Sequence, residues 1–371
     1  MSKWSVYFVI DLLKRLDYNE RKYEKRGTIM LFQELKNRNL PQLKSQEEMI
    51  DILQSEIYGK KLPDPEKVEF IKEDEPLVER FCASKASIHK VTAKCTLNGK
   101  EFSFPFYEVL PNDDEKHPFF IHVNFRDDNP DRYQPTEEII DNGFAVLNVC
   151  YTDVTSDDGD FTDGLAGVLF PDGKRDADDS GKIAMWAWAS SRLLDYAETL
   201  SDRLDLEKSV VCGHSRLGKT ALVAAMFDER FKFSYSNDSG CSGAALARGT
   251  TGETVEDICR RFPFWFCENY KKYANNEENM PFDQHYLIAS IAPRYVLIGS
   301  AKEDAWAHPQ SEQLACVAAS PAFKNPFDCE NKFAEAGDEF FKGDLGYHMR
   351  NGTHYFSRED WQKLIKFVLL K

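Results

Sequence analysis

Short apolar runs alternate with stretches of helical period along the last two-thirds of the chain. Residues 89–97 and 102–109 carry the alternation of half-buried strands, and Asn98-Gly99 between them is a two-residue hairpin signal. Further strands are predicted at 118–124, 143–150, 209–212, 232–237, 294–300 and 346–348. Between them lie helical stretches at 136–141, 182–200 and 220–227, an aromatic, mostly helical one at 257–274, and a short helix after Asp283. In the 182–200 helix, Ile183, Trp186, Ala187, Leu194 and Ala197 fall on one face. A last helix over 357–370 opens on capping oxygens from Ser357, Glu359 and Asp360. Such alternation predicts an α/β fold with a mainly parallel central sheet, helices on both faces and a leading antiparallel hairpin. Residues 1–81 read as a helical extension, a cap or brace, broken at Pro41 and at Pro63-Asp64-Pro65. Residues 82–371 then form the main domain, with an acidic, glycine-rich loop expected over 152–180.

One junction carries chemistry. The apolar run 209–212 stops at Gly213, Ser215 follows, and a helix-favouring run begins at Thr220. Strand, sharp turn and helix is the context that lifts a serine hydroxyl above a sheet. The pattern departs from G-x-S-x-G, because Leu217 holds the last glycine position and Gly218 comes one later. The same residues, Gly213 through Gly218-Lys219-Thr220, also fit a phosphate-binding loop. Element order decides between them. A phosphate loop follows the first strand of its sheet, whereas several strands precede this one. Downstream, Asp304 follows a predicted strand and His354 lies in the loop before the last helix, the order serine, acid, histidine of an α/β-hydrolase. A serine needs a histidine to take its proton and a carboxylate to orient that imidazole.

Composition narrows the partners. The formal charge is −15, with acidic residues spread throughout, which argues against nucleic acid. No run approaches the ~20 apolar residues of a membrane span. The N-terminal apolar run is interrupted by Asp11 and reads as an amphipathic helix rather than a signal peptide. The nine cysteines are scattered without C-x-x-C pairs, as expected for free thiols in a reducing, cytoplasmic setting. The acidic trio Asp157, Asp158 and Asp160 lacks calcium-loop spacing and reads as a solvated loop. His285 reads as structural.

The segment Gly213-His214-Ser215-Arg216-Leu217-Gly218-Lys219 resembles the Gly-Cys/His-Ser-Arg-x-Gly-Lys elbow of glucuronoyl esterases, the fifteenth carbohydrate esterase family. The likeness runs from about Asn124 to the C-terminus. It includes Asn237-Asp238-Ser239-Gly240-Cys241-Ser242-Gly243, Gly252-Glu253, Phe282-Asp283-Gln284-His285, Ile291-Ala292-Pro293-Arg294, Glu303-Asp304-Ala305-Trp306 and Gly352-Thr353-His354. The resemblance implies an α/β-hydrolase that cleaves the 4-O-methyl-glucuronoyl ester of xylan-derived saccharides without metal or cofactor. It implies Ser215 as nucleophile, His354 as base, Arg216 as oxyanion donor, and Lys219, Glu253 and Trp306 as sugar-binding residues. The acid is Asp304 or Asp238, since family members place it after either strand. Asp304 is favoured because it fits the general hydrolase order. His214 and Tyr355 stand where secreted fungal relatives have a disulfide pair, and His308 replaces an expected carboxylate. Two alternatives stay open: a deacetylase of acetylated xylo-oligosaccharides, and a non-catalytic sugar-binding relative.

Overall fold

A computed structural model describes residues 30–371; the amphipathic helix expected at the extreme N-terminus lies outside them. Among the described residues ten strands form one sheet, in the spatial order first, second, third, fifth, fourth, sixth, seventh, eighth, tenth and ninth along the chain. Its leading edge is antiparallel: β1 (Lys67–Lys72), β2 (Ala86–Leu97) and β3 (Lys100–Pro111). The hairpin turn has positive φ at both Asn98 (51°) and Gly99 (69°), as the tight primed turn requires. β5 (Ala145–Cys150), β4 (His117–Asn124), β6 (Leu204–His214), β7 (Phe233–Asn237), β8 (Tyr295–Ala301) and β10 (Leu345–Arg350) run parallel. The short β9 (Glu339–Phe340) closes the far edge antiparallel.

Parallel strands buried on both faces need apolar residues at successive positions. In β6, Val211 faces one core and Val210 and Cys212 the other, because alternate side chains point to opposite faces. The larger core, around Trp186, lies under the helices Lys182–Thr199 and Arg216–Phe227. The smaller one, around Trp361, lies under the helix Arg358–Leu369. From β4 the chain crosses to β5 on one side, then returns to β6 on the other. That reversal opens a crevice at the carboxyl ends of β4 and β6, where α/β sheets bind ligands.

The extension is built differently from the expectation. Helices Leu31–Asn37 and Gln46–Leu53 are present, the second with a Ser45 capping box. Residues 67–72, expected to be helical, instead form β1, whose Val68 and Phe70 pack on the larger core. Leu31, Met49, Leu53, Ile57 and Tyr58 sit in that same core. Polar contacts also tie it to the rest of the chain: Arg38 donates to the Arg248 carbonyl (2.6 Å) and the Tyr58 hydroxyl to that of Ser242 (2.9 Å). The 152–180 segment is not one open loop. It holds the short helices Tyr151–Val154 and Gly164–Leu169, pinned by buried Lys182, which donates to Thr155 and to the Asp160 carbonyl. Among the described residues no helix is long and apolar enough to cross a membrane.

Candidate active site

Four strand ends deliver the site. Ser215 follows β6, Asp238 follows β7, Asp304 lies just beyond β8, and His354 lies just beyond β10. Ser215 has φ 58° and ψ −127°, a conformation non-glycine residues avoid, and its N–H donates to the Asn237 carbonyl (2.9 Å). The turn closes because its neighbours are small. A Cβ on Gly213 would collide with the Leu217 carbonyl, and one on Gly218 would come within 2.9 Å of the Ser236 hydroxyl oxygen. This is why the second glycine sits at 218: that position faces β7, whereas the Leu217 side chain is buried in the larger core.

The His354 Nδ1 lies 2.5 Å from Oδ2 of buried Asp304, while the imidazole itself is about half exposed. The other Asp304 oxygen accepts the Ala307 N–H (3.2 Å). Beneath His354, 4.4 Å between ring centroids, sits His214, whose Nδ1 meets the Asn237 side-chain oxygen at 2.7 Å. Burial first, then the neighbouring His354, hold His214 well below the usual histidine range, so it is a neutral packing partner. Asp238 is also close, with ligand atoms of Asp238, Asp304 and His354 all within 4.8 Å of one another. Its oxygens are committed elsewhere, to the Ala301 N–H (2.7 Å) and to Arg350 (3.2 Å). Where the resemblance implies a disulfide, Tyr133 stands between His214 (5.8 Å) and Tyr355 (5.3 Å), and aromatic contact takes its place.

Around the crevice, the Arg216 guanidinium donates to Asp157 (2.6 Å) and lies over the Trp265 ring (4.9 Å). Asp157 also accepts from the Trp265 indole (2.6 Å) and the Tyr151 hydroxyl (3.0 Å). Lys219 is buried and donates to the Ser239 carbonyl. Burial pushes its ammonium pKa down, against the opposing pull of Glu253. Glu253 is buried as well, which raises its carboxyl against the pull of Lys219, and its N–H donates to the Trp306 carbonyl (2.9 Å). Trp306 is 45% exposed, large for a tryptophan, with Arg261 over its ring at 4.9 Å. Behind them, Glu312 is fully buried, accepting from Ser300 (2.5 Å) and the Gly240 N–H (2.9 Å). Burial lifts its pKa to about 7. His308, in left-handed backbone, meets Thr250 at 2.9 Å, and burial lowers it to about 4.

Thus Ser215, His354, Asp304 and Asp238 converge at the carboxyl ends of neighbouring strands, and Arg216, Lys219, Glu253 and Trp306 occupy the same end of the sheet. His285 is a buried anchor, its Nε2 2.9 Å from the Pro41 carbonyl. Asp158 and Asp160 cap loop turns through Ser156 and Thr162, but Asp157 does not belong to a solvated loop. Its fold-back onto Arg216, 59 residues away, leaves no local sequence signal. Arg350 and Glu312 were equally invisible, because each acts through tertiary contacts.

A parallel-rich sheet carrying a serine elbow, with an Asp-His pair on later strand ends, defines an α/β-hydrolase. A model of the family described as "Glucuronyl esterase, fungi" matches residues 93–325. The chain belongs to the glucuronoyl esterase family. A carbohydrate esterase from an unknown prokaryotic organism is 39% identical over 236 residues, which is 62% of this chain and 54% of that protein. A 4-O-methyl-glucuronoyl methylesterase of Hypocrea jecorina is 36% identical over 36% of this chain and 30% of its own. The chain therefore spans about half, or less, of the length of these curated relatives. Among solved structures, a promiscuous esterase of the same family from a marine bacterial metagenome superposes with a TM-score of 0.76 and 31% identity, over 88% of this chain and 90% of the other. A glucuronoyl esterase from Teredinibacter turnerae gives 0.79 and 26%, over 88% and 83%.

Proposed function

We propose that this protein is a serine carboxylic-ester hydrolase acting on a carbohydrate ester, with the 4-O-methyl-glucuronoyl ester of xylan-derived saccharides as its substrate class. The carrying observation is the Asp304–His354 contact beside the strained Ser215 elbow. Ser215 attacks the ester carbonyl while His354 takes its proton, and Asp304 fixes the imidazole tautomer and steadies the imidazolium. The carbonyl oxygen becomes the oxyanion and meets the Arg216 N–H at the first turn of the elbow helix, where helical N–H groups lack helical partners. The nearby guanidinium, held by Asp157, adds positive charge on that side. His354 then gives its proton to the leaving alcohol, and water, deprotonated by the same imidazole, releases the acid and frees Ser215.

Lys219, Glu253 and Trp306 are read as the sugar-binding edge: two buried charges to grip hydroxyls and an exposed indole to lie along a pyranose ring. We read residues up to Phe81 as a brace for the hydrolase domain, and the nine unpaired cysteines as support for a cytoplasmic setting. The test is a substrate comparison. Benzyl glucuronate and acetylated xylose are offered to the purified protein, and faster turnover of the glucuronate ester is expected. Turnover of the acetate alone would reject the glucuronoyl assignment.

A further inference from the structure

The turn that carries His354 is wrapped around one buried guanidinium. Arg350 ends β10 with its side chain almost wholly inside the protein. Its Nη1 donates to the Asn351 carbonyl (2.8 Å), and its Nη2 to the Thr353 carbonyl (3.1 Å) and to that of Tyr355. The residues on either side of His354 are therefore both held by the same nitrogen. Gly352, with φ 96°, lets the turn close; a Cβ there would approach Nη1 to 3.2 Å. Two buried carboxylates anchor the guanidinium in turn: Asp360 on Nε (2.6 Å) and Asp238 on Nη2 (3.2 Å). Asp360 is also the capping-box partner of Ser357, the N-cap of the last helix, accepting from its N–H and hydroxyl (2.8 Å each), and Asp238 is fixed to β8 through the Ala301 N–H.

We infer that Arg350 is the positioning residue for His354, and that Asp238 serves as its anchor rather than as a second acid for the imidazole. The inference rests on the reading of His354 as the base. The need for such a device is plain from the exposure of the ring. The imidazole sits on a connecting turn with 44% of its side chain exposed, against Asp304 and, tilted by 44°, against His214. Proton transfer requires it within about 0.5 Å of its working position. A guanidinium holds its donors in a rigid fork: Nε serves Asp360, Nη1 the Asn351 carbonyl, and the two N–H groups of Nη2 are shared among Asp238 and the Thr353 and Tyr355 carbonyls, whereas an ammonium has three rotatable donors on one atom and cannot span the set. Charge accounting agrees. Two acids around one buried cation disfavour full ionisation, and burial pushes the carboxyls of both Asp238 and Asp360 up.

The test is Arg350→Lys, read by proton NMR and by kinetics. A short Nδ1–H bond to a carboxylate gives a far-downfield proton signal. With only eight histidines in the chain, His354→Gln assigns that signal by its disappearance. In Arg350→Lys the signal is expected to broaden or vanish, with kcat for benzyl glucuronate down about 30–300-fold and KM within threefold. An unchanged signal with unchanged kcat overturns the inference. If Arg350→Lys does not recover the wild-type far-UV spectrum, Asp360→Asn and Asp238→Asn replace it, each loosening one anchor while keeping the guanidinium. A broadened signal in either supports the clamp, and wild-type behaviour in both overturns it. A wild-type protein that shows the signal but hydrolyses no ester rejects the esterase reading while leaving the clamp standing.

Discussion

Asp304 and His354, fifty residues apart in the chain, meet at 2.5 Å between carboxylate and imidazole nitrogen. Asp238, at the end of the adjacent strand, has both oxygens bonded to other groups. The two acids therefore differ in how a neutral replacement is felt. Asp304→Asn presents an amide to Nδ1 and disfavours the productive tautomer, so kcat is expected to fall about 10³–10⁴-fold. Asp238→Asn keeps the shape and one of the two acceptor oxygens, loosening the Arg350 anchor without touching Nδ1, and is expected to lower kcat no more than about tenfold. Steady-state hydrolysis of a model glucuronate ester by the two variants decides it; a larger loss for Asp238→Asn contradicts the assignment.

Asp157 collects three donors, from Arg216, Trp265 and Tyr151. Asp157→Ala leaves the guanidinium unanchored next to the nucleophile. The expected outcome is a fall in kcat of about 10–100-fold with a smaller change in KM, in the range of a lost oxyanion contact. Equal wild-type and variant kcat on the same ester would remove Asp157 from the site.

Glu312 holds its proton to about pH 7 in the folded protein, whereas an ordinary glutamate releases it near 4.5. Between these values the folded state binds more protons than the unfolded one, so this group makes stability fall as pH rises from about 4.5 to 7. Glu312→Gln mimics the protonated form and removes that slope. Urea unfolding at several pH values is expected to show the variant losing less stability over this window, the difference reaching at most about 1.4 kcal/mol per pH unit.

Leu53, on the second helix of the extension, is fully buried in the same core as the elbow helix. Leu53→Ala is expected to cost about 2–5 kcal/mol, read as a lower urea midpoint. A change below about 0.5 kcal/mol would mean that the extension does not brace the hydrolase domain.

These contrasts explain what the chain reveals unaided. The parallel core was legible because strands buried on both faces need runs of successive apolar residues, as at 145–147 and 296–298. The elbow was legible because backbone strain demands small neighbours at fixed offsets, here Gly213 and Gly218. The edge strand β1 was not: Lys-Val-Glu-Phe-Ile-Lys is half exposed, and its short alternation is lost among charged neighbours. Asp157, Glu312 and Arg350 were hidden for another reason. Each is a charged residue whose partners lie on other elements, so its spacing looks like ordinary surface until the chain is folded.

The most direct measurement is active-site labelling with a fluorophosphonate, which phosphonylates a serine only where a base has activated it. Intact mass and peptide mapping are expected to show one adduct on Ser215, strongly slowed in Asp304→Asn and absent in Ser215→Ala. No adduct on the wild-type protein, or equal labelling of Ser215→Ala, would contradict a serine hydrolase built on the Ser215 elbow.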